Sequence, residues 1–377
     1  MLLEGWLFIS AFYYVGNFIS GQLLVPTDDG AFHRIMKYTI ALSVSAFFLY
    51  AYRLWAGFLF YIFIFFVFFP FLYWYVDGEN VFYAVGLFLV IFSFAGFFFI
   101  AQQLTDTELD GVLNVFIFSA FFVSLISFYE YFFMWPVLGD YWLATGGYRS
   151  VSTLLNPNNL GIYLGAAIIV LLIRKPYSLI FRVIVGGVVF CALIMSGSRT
   201  ALVSIVIPLF FALVFSRFLV VRVRVLMLGF AGLVLLSVLL FFVPWLDIVS
   251  GFRGLESASI RLDKYAYFIS SFDSSYLEPD FSEERFFYTS ENSYFHVLNS
   301  LGLIVVLLLM LGGLFFKLDT SRSKEEPSAK AISYLFLYYL IAFCFENVIV
   351  SFPNNQLFFF AAGIFLQPLR LIKRVVV

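Results

Sequence analysis

The chain has 377 residues, 63% of them hydrophobic and only 12% charged, with a mean hydropathy of +1.00. Soluble domains carry about 25% charged residues, so this composition excludes a soluble globular fold and indicates an integral membrane protein. The net charge of −1 offers no basic patch for a nucleic acid.

A helix needs about 20 apolar residues to cross the hydrocarbon core. At that length, spans are expected near 5–24, 36–52, 54–76, 80–101, 111–134, 159–173, 177–196, 199–216, 225–246, 293–316, 332–352 and 356–372. The expected fold is therefore all-α, one integral membrane domain over 1–377 with about twelve transmembrane helices. Glu4 is the only early charge and no small-residue cleavage site follows, so the first stretch reads as a retained span. Cys191 and Cys344 fall inside apolar spans and read as buried thiols, neither a disulfide nor a metal pair.

The Lys and Arg bias of the connecting loops orients the chain with both termini inside. The inner side then collects Arg53, Arg174, Arg217, Arg222, Arg224, Lys317, Lys330 and Lys373, among others. Gln102–Asp110 breaks the pattern, because it belongs inside yet carries only acids, which count little in this rule. Two outer segments are long, about 135–158 and about 247–292. Loops of such length are usually functional. Within the larger one, Leu255–Ser271 shows helical apolar spacing at Leu262, Tyr265, Ala266 and Ile269, which predicts an amphipathic helix on the outer surface.

Four polar islands on that outer side stand out. They are Tyr148-Arg149 with Asn156-Pro157-Asn158-Asn159, then Ser196-Gly197-Ser198-Arg199, then Ser259-Ile260-Arg261, then Glu291-Asn292-Ser293-Tyr294. A guanidinium matches phosphate oxygens bidentately and stays charged. Arginines held at one face therefore point to an anionic ligand, and a carboxylate beside them to proton chemistry. Each island has a plainer reading as well. Arg199 could reach lipid headgroups. Asn158 or Asn159 could be the N-cap of the sixth span. Arg261 and Tyr265, four apart on one helical face, could be a solvated surface, as could Arg253. Glu291 could be a helix-start acid and His296 a structural histidine. Glu130 and Glu346-Asn347, near outer helix ends, are candidate counter-ions for the arginines. The sequence contains no Gly-rich nucleotide loop, metal-ligand cluster or nucleophile elbow.

Taken in order, the islands resemble the O-antigen ligase/O-antigen polymerase (Wzy) family over about 145–315. The Arg149 to Gly161 stretch is similar to the family's Arg–x–Pro-Asn–x–Gly opening of a helix. Ser196-Gly197-Ser198-Arg199-Thr200 resembles its Ser-Arg helix start. The large loop with Arg261 leads into Glu291-Asn292-Ser293-Tyr294 … Leu298 … Leu301-Gly302, similar to the family's His-Asn-x-Tyr–Leu–Gly pattern. Ligases of the family carry His where this chain has Glu291, so the resemblance favours a polymerase.

The resemblance implies a metal-independent inverting glycosyltransferase of the GT-C type in a bacterial inner membrane, with no cofactor. It transfers a glycan from undecaprenyl diphosphate to a lipid-linked repeat unit at the outer face. Arg199 and Arg261, with Arg149, hold the diphosphate, and Glu291 orients or deprotonates the acceptor hydroxyl. Asn158, Asn159, Arg253, Tyr265, Asn292 and Tyr294 are the expected substrate contacts. Membrane lipid and a chain-length regulator are the other expected partners. The rival expectations are an O-antigen ligase and a flippase for lipid-linked glycans. A flippase predicts charge through the midplane and repeat symmetry, rather than charge clustered at one face.

Overall fold

The computed structural model describes residues 2–12, 42–51, 53–55, 58–59, 62, 96–134, 149–154, 156–174, 177–215, 255–272, 292–299, 327–347, 351 and 353–365. Among them the structure is 89% helical, with no strand. The helices that matter here are α1 (Leu2–Ala11), α2 (Asp106–Tyr129, continued by a wider π turn over Glu130–Met134), α3 (Pro157–Ile173), α4 (Leu179–Ser196), α5 (Arg199–Phe215), α6 (Leu255–Ser271), α7 (Pro327–Phe345) and α8 (Asn354–Phe365). Shorter helical stretches run over Leu42–Ala51, 96–103 and 293–299.

Two of the described helices, Asp106–Phe133 and Leu179–Ser196, are long and apolar enough to cross a membrane. Pro157–Ile173, Arg199–Phe210 and Ala331–Phe345 are apolar but shorter. The parts of the expected spans at 63–95, 216–246 and 300–316 lie outside the described residues.

Helix α3 is the axis of the bundle. All of its residues are buried except Asn158 and Asn159, and it packs against α2, α4, α5 and α7. Small residues let the neighbours come close. A β-carbon on Gly165 would fall 2.4 Å from the Tyr338 hydroxyl of α7, and that hydroxyl donates to the Ile162 carbonyl at 3.0 Å. Tyr163 hydrogen-bonds Ser119 of α2 at 2.7 Å and meets Phe116 edge-on. These contacts fix the height of α3 against its neighbours.

The acids of the Gln102–Asp110 loop have structural employment. Thr105 and Glu108 form a reciprocal capping box at the start of α2, and Asp106 sits in its first turn. Asp110 pairs with Arg174, the residue that ends α3, at 2.8 Å. Arg174 also donates to Asn114 and Tyr177, each at 2.6 Å, and to Ser328 of α7 at 3.3 Å. Arg182 of α4 donates to the Arg174 and Leu172 carbonyls, filling acceptors that a helix end leaves open. This clamp ties α2, α3, α4 and α7 together at one end of the bundle.

One expectation changes. Cys191 is exposed, not buried. It belongs to a stripe of α4 with Ile180 and Ile184, 72% and 59% exposed, that turns away from α3. Helix α6 covers Leu255–Ser271, the expected range; it packs on the protein through Lys264 and Phe268, and Leu262 and Ile269 are exposed. The reason is aromatic: Phe268 stacks on Phe295 with centroids 3.7 Å apart, and Tyr265 meets the same ring edge-on.

Candidate functional site

At the other end of α3, described parts of the polar islands converge on the last turn of α7. The arrangement begins at Glu130. This carboxylate is fully buried and accepts from Ser150 Oγ at 2.6 Å, the Val151 amide at 3.0 Å and the Ser152 amide at 2.7 Å. Those donors hold Ser152 at a φ of 48°, a left-handed backbone conformation that a non-glycine residue adopts only with local support. Glu130 is thus the buried anchor of the segment that carries Arg149.

Arg149 is delivered to the C-terminus of α4. The Ser150 amide donates to the Met195 carbonyl at 3.0 Å, and Arg149 Nε donates to the Ser196 carbonyl at 2.8 Å. A cation suits this end of a helix dipole. The chain then reverses through Gly197, whose φ of 59° ends α4 and lets Ser198-Arg199 open α5. Gly161 of α3 lies directly against this turn. A β-carbon there would clash with Ser198 Cβ, so the first turn of α3 can lie against Ser198 only because residue 161 has no side chain.

The N-cap of α3 is Asn156, neither Asn158 nor Asn159. With extended backbone (φ −148°, ψ 125°), Asn156 accepts from the amides of Asn158 and Asn159 at 2.9 and 3.1 Å, and Pro157 takes the first helical position. This releases the Asn158 side chain for a bridge. Its Oδ1 accepts from Arg149 Nη2 at 2.6 Å, and its Nδ2 donates to Glu346 Oε1 at 2.7 Å. Because a guanidinium only donates and a carboxylate only accepts, one amide orientation satisfies both. Thr200, beside Arg199 at the start of α5, reaches the same Glu346 oxygen at 3.5 Å.

The fourth island arrives from another direction. Asn292 caps the helix over 293–299 by accepting from the Tyr294 and Phe295 amides, and its Nδ2 donates to the Cys344 carbonyl at 2.8 Å. Ser293 Oγ donates to the Glu346 carbonyl at 2.8 Å. Tyr265 of α6 also donates to the Cys344 carbonyl, and the Tyr294 hydroxyl donates to Leu340 at 2.9 Å. Both tyrosines, expected as substrate contacts, are engaged in docking onto α7. His296 is buried one turn further along.

A fifth element was not singled out in the sequence. Pro353-Asn354-Asn355 repeats the Pro157-Asn158-Asn159 triplet and likewise opens a helix, α8. Asn354 Nδ2 donates to the Asn159 carbonyl at 3.1 Å, so the two triplets lie side by side. The recurrence was the available signal. Asn354 and Asn355 are wholly buried, and Gln356 links α8 to Trp6 and Ser10 of α1.

The starts of α3, α5, α8 and the 293–299 helix therefore meet the end of α7 in one connected hydrogen-bond network around Glu346. Helix N-termini carry partial positive charge, and Arg149 and Arg199, both half-buried, stand among them. That is a setting suited to an anion, and Glu346 supplies a carboxylate within it. Arg261 lies on α6 with its side chain outside the described residues, and Arg253 and Glu291 lie outside them altogether. Among the described residues, no group of three or more His, Cys, Asp or Glu could hold a metal ion.

No family model matches the chain, and comparison with curated proteins and with solved structures gives no match either.

Proposed function

We propose that this chain is a polytopic membrane glycosyltransferase with about twelve transmembrane helices, a polymerase of O-antigen type in a bacterial inner membrane. It transfers a glycan from undecaprenyl diphosphate to a lipid-linked repeat unit at the outer face. The observation that carries this reading is the convergence on Glu346 of Arg149 with Asn158, the Arg199-Thr200 helix start and Asn292-Ser293. They come one from each of the three features on which the family resemblance rests. The exposed apolar stripe of α4 and the two helices of spanning length support a membrane setting.

In this reading Arg199 and Arg261, with Arg149, hold the diphosphate and stabilise the charge that grows on it as the sugar–phosphate bond breaks. Glu291 orients or deprotonates the acceptor hydroxyl. The donor linkage already stores the energy of transfer, so neither a nucleotide nor a metal site is required.

The test is elongation in detergent. Purified protein is incubated with the host's undecaprenyl-diphosphate-linked repeat unit, without nucleotide sugar and with excess chelator. A ladder of longer lipid-linked glycans is expected. No ladder from folded protein would overturn the polymerase; product only when lipid A-core is added would indicate a ligase, and substrate movement in vesicles without elongation a flippase.

A further inference from the structure

The Leu42–Ala51 helix ends in a turn that takes no part in the network around Glu346. One side of the turn is docked on the protein, because Phe48, Leu49 and Leu54 are buried in the core. The Arg53 amide donates to the Tyr50 carbonyl and the Leu54 amide to the Leu49 carbonyl, each at 2.9 Å. Arg53 has a φ of 55°, the left-handed conformation that closes a helix end. These contacts fix where the outward side chains of the turn stand.

Three of those side chains carry polar donors. Tyr50 is 61% exposed and Trp55 56%, and Arg53 between them is exposed as well. The Tyr50 and Trp55 rings meet edge-on with centroids 6.0 Å apart, and Trp55 meets Phe58 in the same way at 6.1 Å. The phenol hydroxyl, the indole N–H and the guanidinium make no hydrogen bond or ion pair among the described residues. Each can donate, and the guanidinium is a permanent cation. The complement of such a set is an oxyanion. The exposed residues on either side of the turn are apolar: Phe47 before it, Leu59 and Ile62 after it. In a chain of this hydropathy those side chains belong among acyl chains. A donor-bearing turn between them then lies at headgroup level, where Trp and Tyr are enriched and a cation attracts anionic lipid. A turn in water would account for Arg53 but would leave Phe47 and Leu59 wetted.

We infer that Tyr50, Arg53 and Trp55 form a docking site for the phosphate of an anionic phospholipid, and that this turn anchors the chain at the inner leaflet. The leaflet follows from the orientation that the loop charges give. The inference rests on the membrane setting of the proposed function and is independent of the transfer reaction.

The test is tryptophan quenching in bilayers. The full chain is reconstituted in mixtures of phosphatidylcholine and phosphatidylglycerol, with one lipid or the other brominated on its acyl chains, and insertion is verified by vesicle flotation. Bromine quenches a nearby indole. The chain has 6 tryptophans, so the difference between wild type and Trp55→Phe isolates the signal of Trp55. Arg53→Asn removes the charge with a residue that tolerates the left-handed backbone, and Arg53→Lys keeps the charge. Trp55 of the wild type is expected to be quenched, with a preference for phosphatidylglycerol of about fivefold, the effect of one cation at an anionic surface. The preference should persist in Arg53→Lys, fall as salt is raised, and vanish in Arg53→Asn while quenching itself remains.

Equal quenching by the two lipids in the wild type would overturn the inference, as would a preference that Arg53→Asn retains. So would a Trp55 that neither lipid quenches in floated vesicles, which would place the turn in water or beneath another protein surface. If Arg53→Asn does not fold, the wild type decides alone: a salt-sensitive preference supports the site, and a salt-insensitive one overturns it. Protein that fails to float with the vesicles overturns the membrane setting, and the proposed function with it. A clear lipid preference in protein that makes no ladder from authentic substrate upholds this inference and overturns the polymerase alone.

Discussion

The two ends of α3 each gather an arginine, and they treat it differently. At the Arg174 end the cation is 1% exposed and closes directly on Asp110, with Asn114, Tyr177 and Ser328 completing the ring. At the Asn156 end Arg149 is half-buried and is joined to the Glu346 carboxylate through the amide of Asn158. A closed pair with a buried cation is a joint: removing Asp110 leaves the buried charge stranded, while the intact Arg174 has its donors taken up by the protein. At the Asn156 end a cation, an amide and a carboxylate lie in series beside several helix N-termini. On the proposed function, stability belongs to the first end and chemistry to the second, although both were expected to bear charge from the sequence.

The comparison can be broken by variants that should affect one end and not the other. The largest effect is expected from Arg199→Ala: elongation falls roughly 100-fold or more, as for loss of a preorganised cationic contact, with abundance and thermal stability unchanged. Asp110→Ala should do the reverse. Stranding Arg174 costs about 2 kcal/mol, below the range for a fully buried pair because Asp110 is half exposed. Thermal unfolding in detergent would show the loss, while turnover per folded molecule stays at the wild-type value. Asn156→Ala should cost about 1 kcal/mol, the usual worth of an N-cap. Because the cap presents Asn158, it should also lower activity modestly, so this variant reads both properties at once. Cys191→Ser, on the exposed stripe of α4, should stay within about 0.5 kcal/mol of wild type by the same unfolding measurement and leave elongation unchanged.

Legibility in the sequence follows the range of the interactions. Local signals read well. The helical spacing of Leu255–Ser271 gives α6 its limits, and Asn156-Pro157, Ser198-Arg199 and Asn292-Ser293 fall at helix starts, positions that Ser, Asn and Pro favour. The acids of Gln102–Asp110 contradicted a charge rule about loops, yet the start of α2 explains two of them by wholly local geometry, Glu108 through the capping box and Asp106 through its place in the first turn. Other features were not legible, because distant contacts decide them. Which asparagine caps α3 depended on Pro157 claiming the first helical position, and that choice sent Asn158 to a partner 188 residues away. The buried face of α6 followed from one ring, Phe295, on which Phe268 stacks, and no periodicity within the helix reveals it. Glu346 could be named as a counter-ion from its depth alone, but its place at the centre of the network is visible only once the starts of α3, α5 and the 293–299 helix are brought together.

The claim that the Asn156 end is the active end is tested most directly by elongation at matched amounts of folded protein, comparing wild type, Arg199→Ala and Asp110→Ala on one gel with the host's lipid-linked repeat unit. The account predicts a full ladder from wild type and from Asp110→Ala, and none from Arg199→Ala. A ladder that survives Arg199→Ala but disappears in folded Asp110→Ala would contradict it and move the chemistry to the other end of α3.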